Sequence, residues 1–257
     1  MKGCITMYKN YGPLAAQVYQ ITKPTGFSLN GDIDYYKSRL THVSGPILEA
    51  CCGTGRVLIP LLKSGYDIDG IDLSEEMLSI CRKEIDHNSL KATLYCGDLA
   101  NYHFDKKYAA IIMPSSSFNL FPSENIALSI LKNLYHSLKD GGKFIFDIDL
   151  PYYPELNETT TSIYPLNDSE GITLEYKTLE IDWLKQQIVT LLKYEKWTNG
   201  QLDATELQNF TLRWYGLSEL TLFLEKIGFK SIIISADYDY QSVPANSNQT
   251  ITFECSK

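Results

Sequence analysis

The residues best suited to chemistry form a glycine-rich segment between a predicted strand and a predicted helix, Glu49-Ala-Cys-Cys-Gly-Thr-Gly-Arg56. Its glycines let the backbone turn sharply and approach a ligand closely, and the helix that follows offers free N–H groups. Asp72 lies 17 residues after Gly55, at the end of the next predicted strand, where a carboxylate can bind two ribose hydroxyls. Asp98 lies at the end of the third predicted strand, where it can accept a hydrogen bond from the amine of a base.

A nicotinamide dinucleotide is the first alternative ligand for such a turn. Its fingerprint needs glycines at positions equivalent to 51, 53 and 56. Here these positions hold Cys51, Gly53 and Arg56, so one of three matches. A bulky arginine also replaces the glycine that close packing of helix on strand requires. The sequence therefore disfavours a nicotinamide site.

Alternating apolar runs and amphipathic stretches predict the elements that position this turn. Strands are predicted at 46–51, 67–71, 92–96, 108–113 and 143–148, and helices at 56–64, 75–87 and 123–138. Asp140-Gly-Gly142 is predicted to end the last of these helices. Strands separated by helices indicate an α/β fold with a parallel, doubly wound sheet.

The pattern changes after Pro151. Residues 151–170 are rich in Pro, Asn, Thr and Ser and are predicted to form a loop. Extended segments follow at 171–182, 186–198 and 204–215, and Asn199-Gly200 is a strong hairpin signal. A helix at 217–227 and strands at 230–237 and 250–255 complete the sheet. The antiparallel strands thus form an insert after the fifth strand of the α/β domain.

The motifs resemble those of class I S-adenosylmethionine-dependent methyltransferases. These motifs are E-x-x-x-G-x-G-R, G-I-D-L-S-x-x-M-L, G-D and D-G-G, and the match covers 46–150 well. The run C-G-T-G-R-V-L-I-P-L is similar to small-molecule methyltransferases, some of which, such as amino-sugar N-methyltransferases, carry an antiparallel insert after strand five. The resemblance implies a Rossmann-like seven-stranded, mostly parallel sheet and S-adenosyl-L-methionine as cofactor. Cys51 departs from the family, which has the first motif glycine there.

The resemblance implies four parts of the chain and a set of site residues. The parts are a helical lid at 1–45, a cofactor-binding core at 46–150, a β insert at 151–215 on the substrate side, and the end of the core at 216–257. The residues expected to bind cofactor are Tyr36, Arg39, Glu49, Cys51, Gly53, Thr54, Gly55, Arg56, Asp72, Leu73, Met77, Asp98, Leu99 and Met113. Those expected to bind substrate are Tyr11, Tyr19, Ser116, Phe118, Asn119, Arg213 and Tyr215.

Plainer roles stay open for several of these residues. The N-terminal tyrosines can pack against the domain instead of closing over the sulfonium, whose charge suits an aromatic face. Arg39 can be solvated, and Arg213 can pair with a carboxylate instead of a substrate. Tyr11, Ser116, Asn119 and Arg213 are the candidates for catalysis. Asp147 or His136 is an alternative general base, although transfer to a neutral amine needs only a modest base.

Composition narrows the acceptor. The 257-residue chain has a formal net charge of −8 and a pI near 5.1, which does not favour nucleic acid. The loop Met113-Pro-Ser-Ser lacks the N/D-P-P-Y/W-type motif of base methyltransferases. Six cysteines without a C-x-x-C pair, and four histidines without ligand spacing, indicate no metal site.

The sequence therefore predicts a cytoplasmic methyltransferase that acts on a small molecule, with no membrane partner. The resemblance favours an amine acceptor, reached by in-line displacement with orientation as the main catalytic effect. A cofactor-binding module without turnover and an RNA or protein methyltransferase are the alternatives. The insert strands could also pair across a homodimer.

Overall fold

The computed structural model describes residues 7–152 and 154–257. The first six residues of the predicted lid, with Cys4, lie outside the described part. The strands are β1 Ile47–Ala50, β2 Ile68–Asp72, β3 Leu94–Cys96, β4 Tyr108–Met113, β5 Leu138–Asp149, β6 Thr159–Pro165, β7 Glu170–Asp182, β8 Gln187–Thr198, β9 Gln201–Arg213, β10 Lys230–Ala236 and β11 Thr250–Ser256. The α-helices are α1 Pro13–Thr22, α2 Asp32–Leu40, α3 Leu58–Lys63, α4 Glu75–His87, α5 Glu124–Ser137 and α6 Leu217–Ile227.

Seven strands form the main sheet in the order β10-β11-β5-β4-β1-β2-β3. Strands β1 to β5 run parallel, whereas β11 is antiparallel to both β5 and β10. The predicted α/β fold with a seven-stranded, mostly parallel sheet is confirmed. Because β1 pairs with β2 on one side and with β4 on the other, the strand order reverses there. Ligands bind at the carboxyl ends of the strands beside such a reversal.

Local sequence explains the helix that follows β2. Ser74 caps α4, since its hydroxyl accepts a hydrogen bond from the Met77 N–H at 3.1 Å. Two glutamates in the first turn complement the helix dipole. Leu78 and Cys81 lie on the buried face of the helix. The helix therefore begins immediately after Asp72 and fixes the position of that carboxylate.

The insert is a four-stranded antiparallel sheet in the order β6-β7-β8-β9. The predicted hairpin is confirmed: Asn199 and Gly200 both have positive φ, at 50° and 76°, and Thr198 pairs with Gln201. The loop predicted at 151–170 is partly wrong, because β6 lies within it. Although threonine is common in strands, this segment is polar and exposed, as a loop would be. Only its pairing with β7 identifies it as an edge strand.

The predicted end of the third helix, at 138, is right within one residue, but the stop signal assigned to Asp140-Gly-Gly142 and the predicted start of the next strand at 143 are wrong. Helix α5 ends at Ser137, and β5 begins with the next residue. Leu138 pairs with Tyr108, and the register then shifts before the regular pairing with β4 resumes. Gly141, with φ of 74°, turns the chain inside this irregular stretch. The two glycines thus shape the start of a strand instead of stopping a helix.

The N-terminal helices join the two sheets. Leu14, Ala15 and Val18 of α1 pack against Ile172, Leu192 and Tyr194 on the inner face of the insert. The Glu206 carboxylate on β9 accepts hydrogen bonds from the N–H groups of Leu14 and Ala15, at 3.0 and 3.3 Å. Helix α1 therefore lies under the insert. None of the helices in the described ranges is long and apolar enough to span a membrane.

Candidate functional site

The glycine turn after β1 is tightly enclosed. A Cβ on Gly53 would lie 3.2 Å from the Met77 Cε atom, and one on Gly55 would lie 2.7 Å from the Cys81 Sγ atom. Both glycines have positive φ, at 53° and 85°. Any side chain here would displace α4, so glycine is required for the turn to lie on that helix.

Cys51 takes the same left-handed conformation, with φ of 58°. The backbone thus adopts the shape that glycine would adopt, although the residue has a side chain. A left-handed L-residue is disfavoured by about 1–2 kcal/mol. The replacement of the motif glycine therefore changes the stability of the turn but not its course.

Asp72 connects the turn to the end of β2. Its Oδ2 atom accepts a hydrogen bond from the Gly53 N–H at 2.8 Å, and its Oδ1 atom accepts one from the Ser74 N–H at 2.9 Å. Burial raises the pKa of this carboxyl group, and these backbone N–H groups act in the opposite direction. A carboxylate is thereby held at the crevice between β1 and β2.

Glu49 is buried behind the turn, with 2% of its surface exposed. Its Oε2 atom has no hydrogen-bond partner among the described residues, and the same is true of the Thr54 hydroxyl. Burial raises the pKa of Glu49 well above its usual range, and the Arg56 charge opposes this effect. Because buried acceptors in proteins are normally paired, these atoms fit a ligand that brings donors, such as an ammonium group.

The ends of β2 and β3 form the other side of the crevice. Leu73 is 67% exposed although it is a large apolar residue, and Met77 lies buried beside it. Asp98 is exposed and accepts a hydrogen bond from the Ala100 N–H at 2.9 Å, while Leu99 is buried. The exposed apolar side chain of Leu73 and the exposed carboxylate of Asp98 fit a flat ring that carries an amine. The donor set thus fits S-adenosylmethionine, with its ammonium, ribose and adenine.

Arg56 follows the turn but is held by protein groups. It is 2% exposed and forms an ion pair with the fully buried Asp32 at 2.5 Å. It also donates to the Phe27 carbonyl and to the Ser115 hydroxyl, each at 2.6 Å. The structure therefore places this predicted cofactor ligand between α2 and the loop after β4.

A second buried cluster surrounds Asp147 at the end of β5. Its Oδ2 atom accepts hydrogen bonds from the hydroxyls of Tyr36, at 2.6 Å, and Tyr238, at 3.2 Å. Its Oδ1 atom accepts from the N–H and the hydroxyl of Ser116. Burial raises the pKa of Asp147 to about 6, while the Tyr36 and Ser116 hydrogen bonds lower it. The Tyr36 hydroxyl, predicted to bind cofactor, is thus committed to this carboxyl group next to the Met113 carbonyl.

Aromatic side chains from the N-terminus and the insert cover the crevice. The Tyr11 ring meets those of Tyr19 and Phe210 edge to face, with centroids 6.4 Å apart in each case. The Tyr11 carbonyl accepts a hydrogen bond from the Ser74 hydroxyl at 2.8 Å, which places this residue above the end of β2. Tyr19 is half-buried, and this burial raises its pKa against the effect of the nearby Arg56. The two predicted substrate tyrosines are therefore brought together over the glycine turn.

The structure places three predicted substrate residues in the interior. Phe118 is fully buried, with its ring centroid 4.9 Å from that of Tyr215, and the Tyr215 hydroxyl donates to the Phe121 carbonyl. The Asn119 amide donates to the carbonyls of Asp149 and Arg213. The prediction that these three side chains line a pocket is corrected: they join β5 to the insert, because long-range packing fills the space around them.

Two predicted arginines also have protein partners. Arg213 pairs with Glu219 at 2.7 Å, which is the plainer role left open by its sequence. Arg39 pairs with Glu254 at 2.7 Å and lies over the Tyr240 ring. Because Glu254 faces Ile145 in the middle of β5, Arg39 lies away from the carboxyl edge of the sheet. The structure gives neither arginine a position at the crevice.

Sequence reasoning missed Asp32 and Ser115, which bind Arg56, and Tyr238, which binds Asp147. No local pattern marks Ser115 or Tyr238, since their partners are distant in sequence. Asp147 carried a usable signal, because it lies in the apolar run Phe144-Ile-Phe-Asp-Ile148. A charged residue on the buried face of a strand needs partners.

Comparisons with known proteins find methyltransferases among both the curated relatives and the solved structures. Residues 47–142 match the family described as a methyltransferase domain. The Bacillus subtilis (strain 168) protein YqeM, which is named as a methyltransferase, is 23% identical over 214 residues, 83% of this chain and 84% of that protein. The dTDP-3-amino-3,4,6-trideoxy-alpha-D-glucopyranose N,N-dimethyltransferase of Streptomyces venezuelae is 30% identical over 123 residues, 48% of each chain.

A solved structure extends the likeness to the insert. The amino pentose methyltransferase CalS10 of Micromonospora echinaspora, solved with S-adenosylmethionine bound, superposes with a TM-score of 0.66. The match covers 97% of this chain and 99% of that one at 11% identity. At that identity the likeness establishes the fold, including both sheets.

Proposed function

Because the chain is a class I S-adenosylmethionine-dependent methyltransferase, we propose that it methylates an amine of a small molecule. When bound, the cofactor supplies a methyl group on a positively charged sulfur, which a nucleophile displaces in line. The chain's own part is to bind both partners, align them and exclude water. No general base is required beyond a modest one, since a neutral amine carries its own lone pair.

The cofactor contacts in this proposal follow the geometry of the crevice. Glu49, with its unpartnered oxygen, would hold the ammonium group. Asp72 would bind the ribose hydroxyls, and Leu73 and Met77 would flank the adenine. Asp98 would accept from the adenine amine, next to the Leu99 N–H.

The observation that carries the acceptor class is the cover over the crevice. Tyr11 and Tyr19 meet Phe210 of the insert there, and α1 is fixed to the insert through Glu206. This cover is aromatic, and it is not a basic groove of the kind that nucleic acid requires. Two proteins that the chain resembles are named for methylation of amino sugars, and one of them shares the insert.

The test is a transfer assay in which the protein acts on a cell extract with methyl-labelled S-adenosylmethionine. The products are then separated by mass into small-molecule, RNA and protein fractions. We expect the label in the fraction below about 1 kDa, which is the size range of small-molecule ligands, with mass spectrometry locating the methyl group on nitrogen. Asp72→Ala serves as the inactive control. Label in the RNA or protein fraction, or on oxygen or carbon of a small molecule, would contradict the proposal.

We also propose a cytoplasmic location and a homodimer. The described cysteines, Cys51, Cys52, Cys81, Cys96 and Cys255, are free thiols, which suits a reducing compartment. Strand β6 is an exposed edge of the insert, and such edges can pair with a second copy. Light scattering at micromolar concentration would give twice the 29.2 kDa chain mass if this proposal holds, and the single mass if it does not.

A further inference from the structure

Helix α2 presents two buried side chains, Asp32 and Tyr36, that are four residues apart and therefore lie on one face. Both are fully buried. Asp32 pairs with Arg56, and Tyr36 donates a hydrogen bond to Asp147. Arg56 and Asp147 in turn contact two adjacent serines in the loop after β4. Two separate arms thus connect one helix to the Ser115–Ser116 loop.

The first arm runs through Arg56. The Asp32 Oδ2 atom accepts a hydrogen bond from the Arg56 Nη2 atom at 2.5 Å, and the same nitrogen donates to the Ser115 hydroxyl at 2.6 Å. Asp32 is itself fixed, because its Oδ1 atom accepts from the N–H groups of Leu29 and Ile33, each at 2.8 Å. The Arg56 guanidinium is therefore held by the fixed Asp32 carboxylate and in turn holds the Ser115 hydroxyl.

The second arm runs through Asp147. The Tyr36 hydroxyl donates to the Asp147 Oδ2 atom at 2.6 Å, and the Oδ1 atom accepts from the Ser116 N–H and, at 3.3 Å, from its hydroxyl. Tyr238 donates to the same Oδ2 atom from the loop after β10. Both oxygens of the carboxylate are thus occupied, one toward α2 and one toward Ser116.

The held loop has an uncommon backbone. Ser115 and Ser116 both lie in the left-handed region, with φ of 66° and 54°. Two consecutive L-residues in that region persist only when surrounding contacts hold them. The arms supply such contacts at both serines, one at a hydroxyl and one at an N–H.

We propose that α2, Asp32 and Tyr36 form a clamp that sets the Ser115–Ser116 loop in the conformation that positions the methyl acceptor. The acceptor role of the loop rests on the proposed function, whereas the clamp itself does not. Because both arms end on one helix, displacement of α2 releases both serines together. Asp32 and Tyr36 are positioning residues, since they act on the loop through Arg56 and Asp147.

The test is hydrogen exchange of the Ser116 amide, measured by NMR in Tyr36→Phe. Loss of the hydroxyl removes the shorter of the two hydrogen bonds to the Asp147 Oδ2 atom and leaves that of Tyr238. We expect the protection factor at Ser116 to fall at least tenfold, which corresponds to the loss of about one hydrogen bond. The amide of Ile111, in the middle of β4, should keep its protection, which separates a local release from general destabilisation. A protection factor at Ser116 within about twofold of the wild-type value would overturn the clamp.

Tyr35→Phe is the matched control. Tyr35 is the neighbouring residue on α2, is 5% exposed, and shares a hydrogen bond with the Thr252 hydroxyl at 3.1 Å, outside both arms. This variant should leave Ser116 exchange unchanged, and an equal loss of protection would also overturn the clamp. Ser115→Ala removes the end of the first arm without altering α2, and it should likewise speed exchange at Ser116.

A transfer assay separates the clamp from the proposed function. In Tyr36→Phe, labelled methyl transfer into the small-molecule fraction should fall at least tenfold, whereas the affinity for S-adenosylhomocysteine should stay within about twofold. If the wild-type protein transfers no label to that fraction, the proposed function fails while the exchange result still decides the clamp. Equal transfer by Tyr36→Phe and the wild-type protein would contradict the positioning role.

Discussion

The half of the site that we propose for the cofactor comes from a short stretch of chain, whereas the half that we propose for the acceptor is assembled from residues spread over most of it; they are called the cofactor half and the acceptor half below. The cofactor half comprises the glycine turn, Asp72 and Asp98, and its central hydrogen bond joins residues 19 apart, Gly53 and Asp72. The acceptor half comprises the Ser115–Ser116 loop, α1, α2 and the inner face of the insert. There the bond between Tyr36 and Asp147 joins residues 111 apart.

This difference teaches which half can change independently. The turn after β1, the carboxylate after β2 and the start of α4 form one local unit, so its geometry needs few distant contacts. The acceptor half depends on how the N-terminal helices and the insert meet the main sheet.

The largest expected effect tests the acceptor half through Asp147. Burial raises its pKa from 3.8 to about 6, so the folded protein binds this proton more tightly than the unfolded chain. Its stabilising effect is complete below about pH 3 and is lost as the pH rises through about 6, which amounts to about 3 kcal/mol. In urea unfolding, the stability of the wild-type protein relative to Asp147→Asn should fall by that amount between pH 3 and pH 7.

The control for this variant is Asp149→Asn, on the same strand end but exposed. It measures what the loss of a nearby surface charge does without the buried cluster. A difference between wild-type and Asp147→Asn that stays constant with pH would show that the Asp147 cluster is not the titrating group.

The next effect tests the cofactor half. Asp72→Ala removes the carboxylate that we propose binds the ribose and should weaken S-adenosylhomocysteine binding about 100-fold in titration calorimetry, which corresponds to about 2.7 kcal/mol. Asp67→Ala, at the exposed start of the same strand, should bind within about twofold of wild type. Equal affinities for Asp72→Ala and the wild-type protein would remove Asp72 from the cofactor half.

A smaller effect should confirm that the halves are separable. Asn119→Ala removes three hydrogen bonds, a buried one to the Arg213 carbonyl and two part-buried ones to the backbone of Asp149. The free energy of unfolding should therefore fall by about 2 kcal/mol. S-adenosylhomocysteine affinity should change less than about twofold, since these contacts lie in the acceptor half. The exposed Asn101→Ala is the control, and a large loss of affinity in Asn119→Ala would mean that the halves are coupled.

The smallest effect concerns Cys51, where the cofactor half departs from its family. Glycine accepts the left-handed conformation of this residue and alanine does not, so Cys51→Gly should be more stable than Cys51→Ala by about 1 kcal/mol. Both variants lose the same cysteine side chain, which makes the pair its own control. Equal melting temperatures would show that the turn relaxes when its side chain changes.

Sequence reasoning succeeded where the determining contacts are local. The glycine turn and Asp72 stand at a fixed spacing, Ser74 caps its own helix, and Asn199-Gly200 defines its own hairpin. It failed at β6, because a polar edge strand resembles a loop in sequence and is identified only by its pairing with β7.

The acceptor half shows the same limit. Phe118 and Asn119 are aromatic and polar loop residues, which is what a pocket lining looks like in sequence. Their burial depends on Tyr215 and Arg213, almost a hundred positions later. Asp32 and Tyr238 carry no motif at all, because their roles arise only when distant segments meet at Arg56 and Asp147.

The most direct test of the account is a crystal structure with S-adenosylhomocysteine bound. We predict that the ligand lies in the crevice between β1, β2 and β4, with both ribose hydroxyls on the Asp72 carboxylate and its amino group on Glu49. Its sulfur should face Tyr19 and the Ser115–Ser116 loop, so that the two halves meet at the reacting atom. A ligand bound elsewhere, or one whose ribose contacts a residue other than Asp72, would contradict the account.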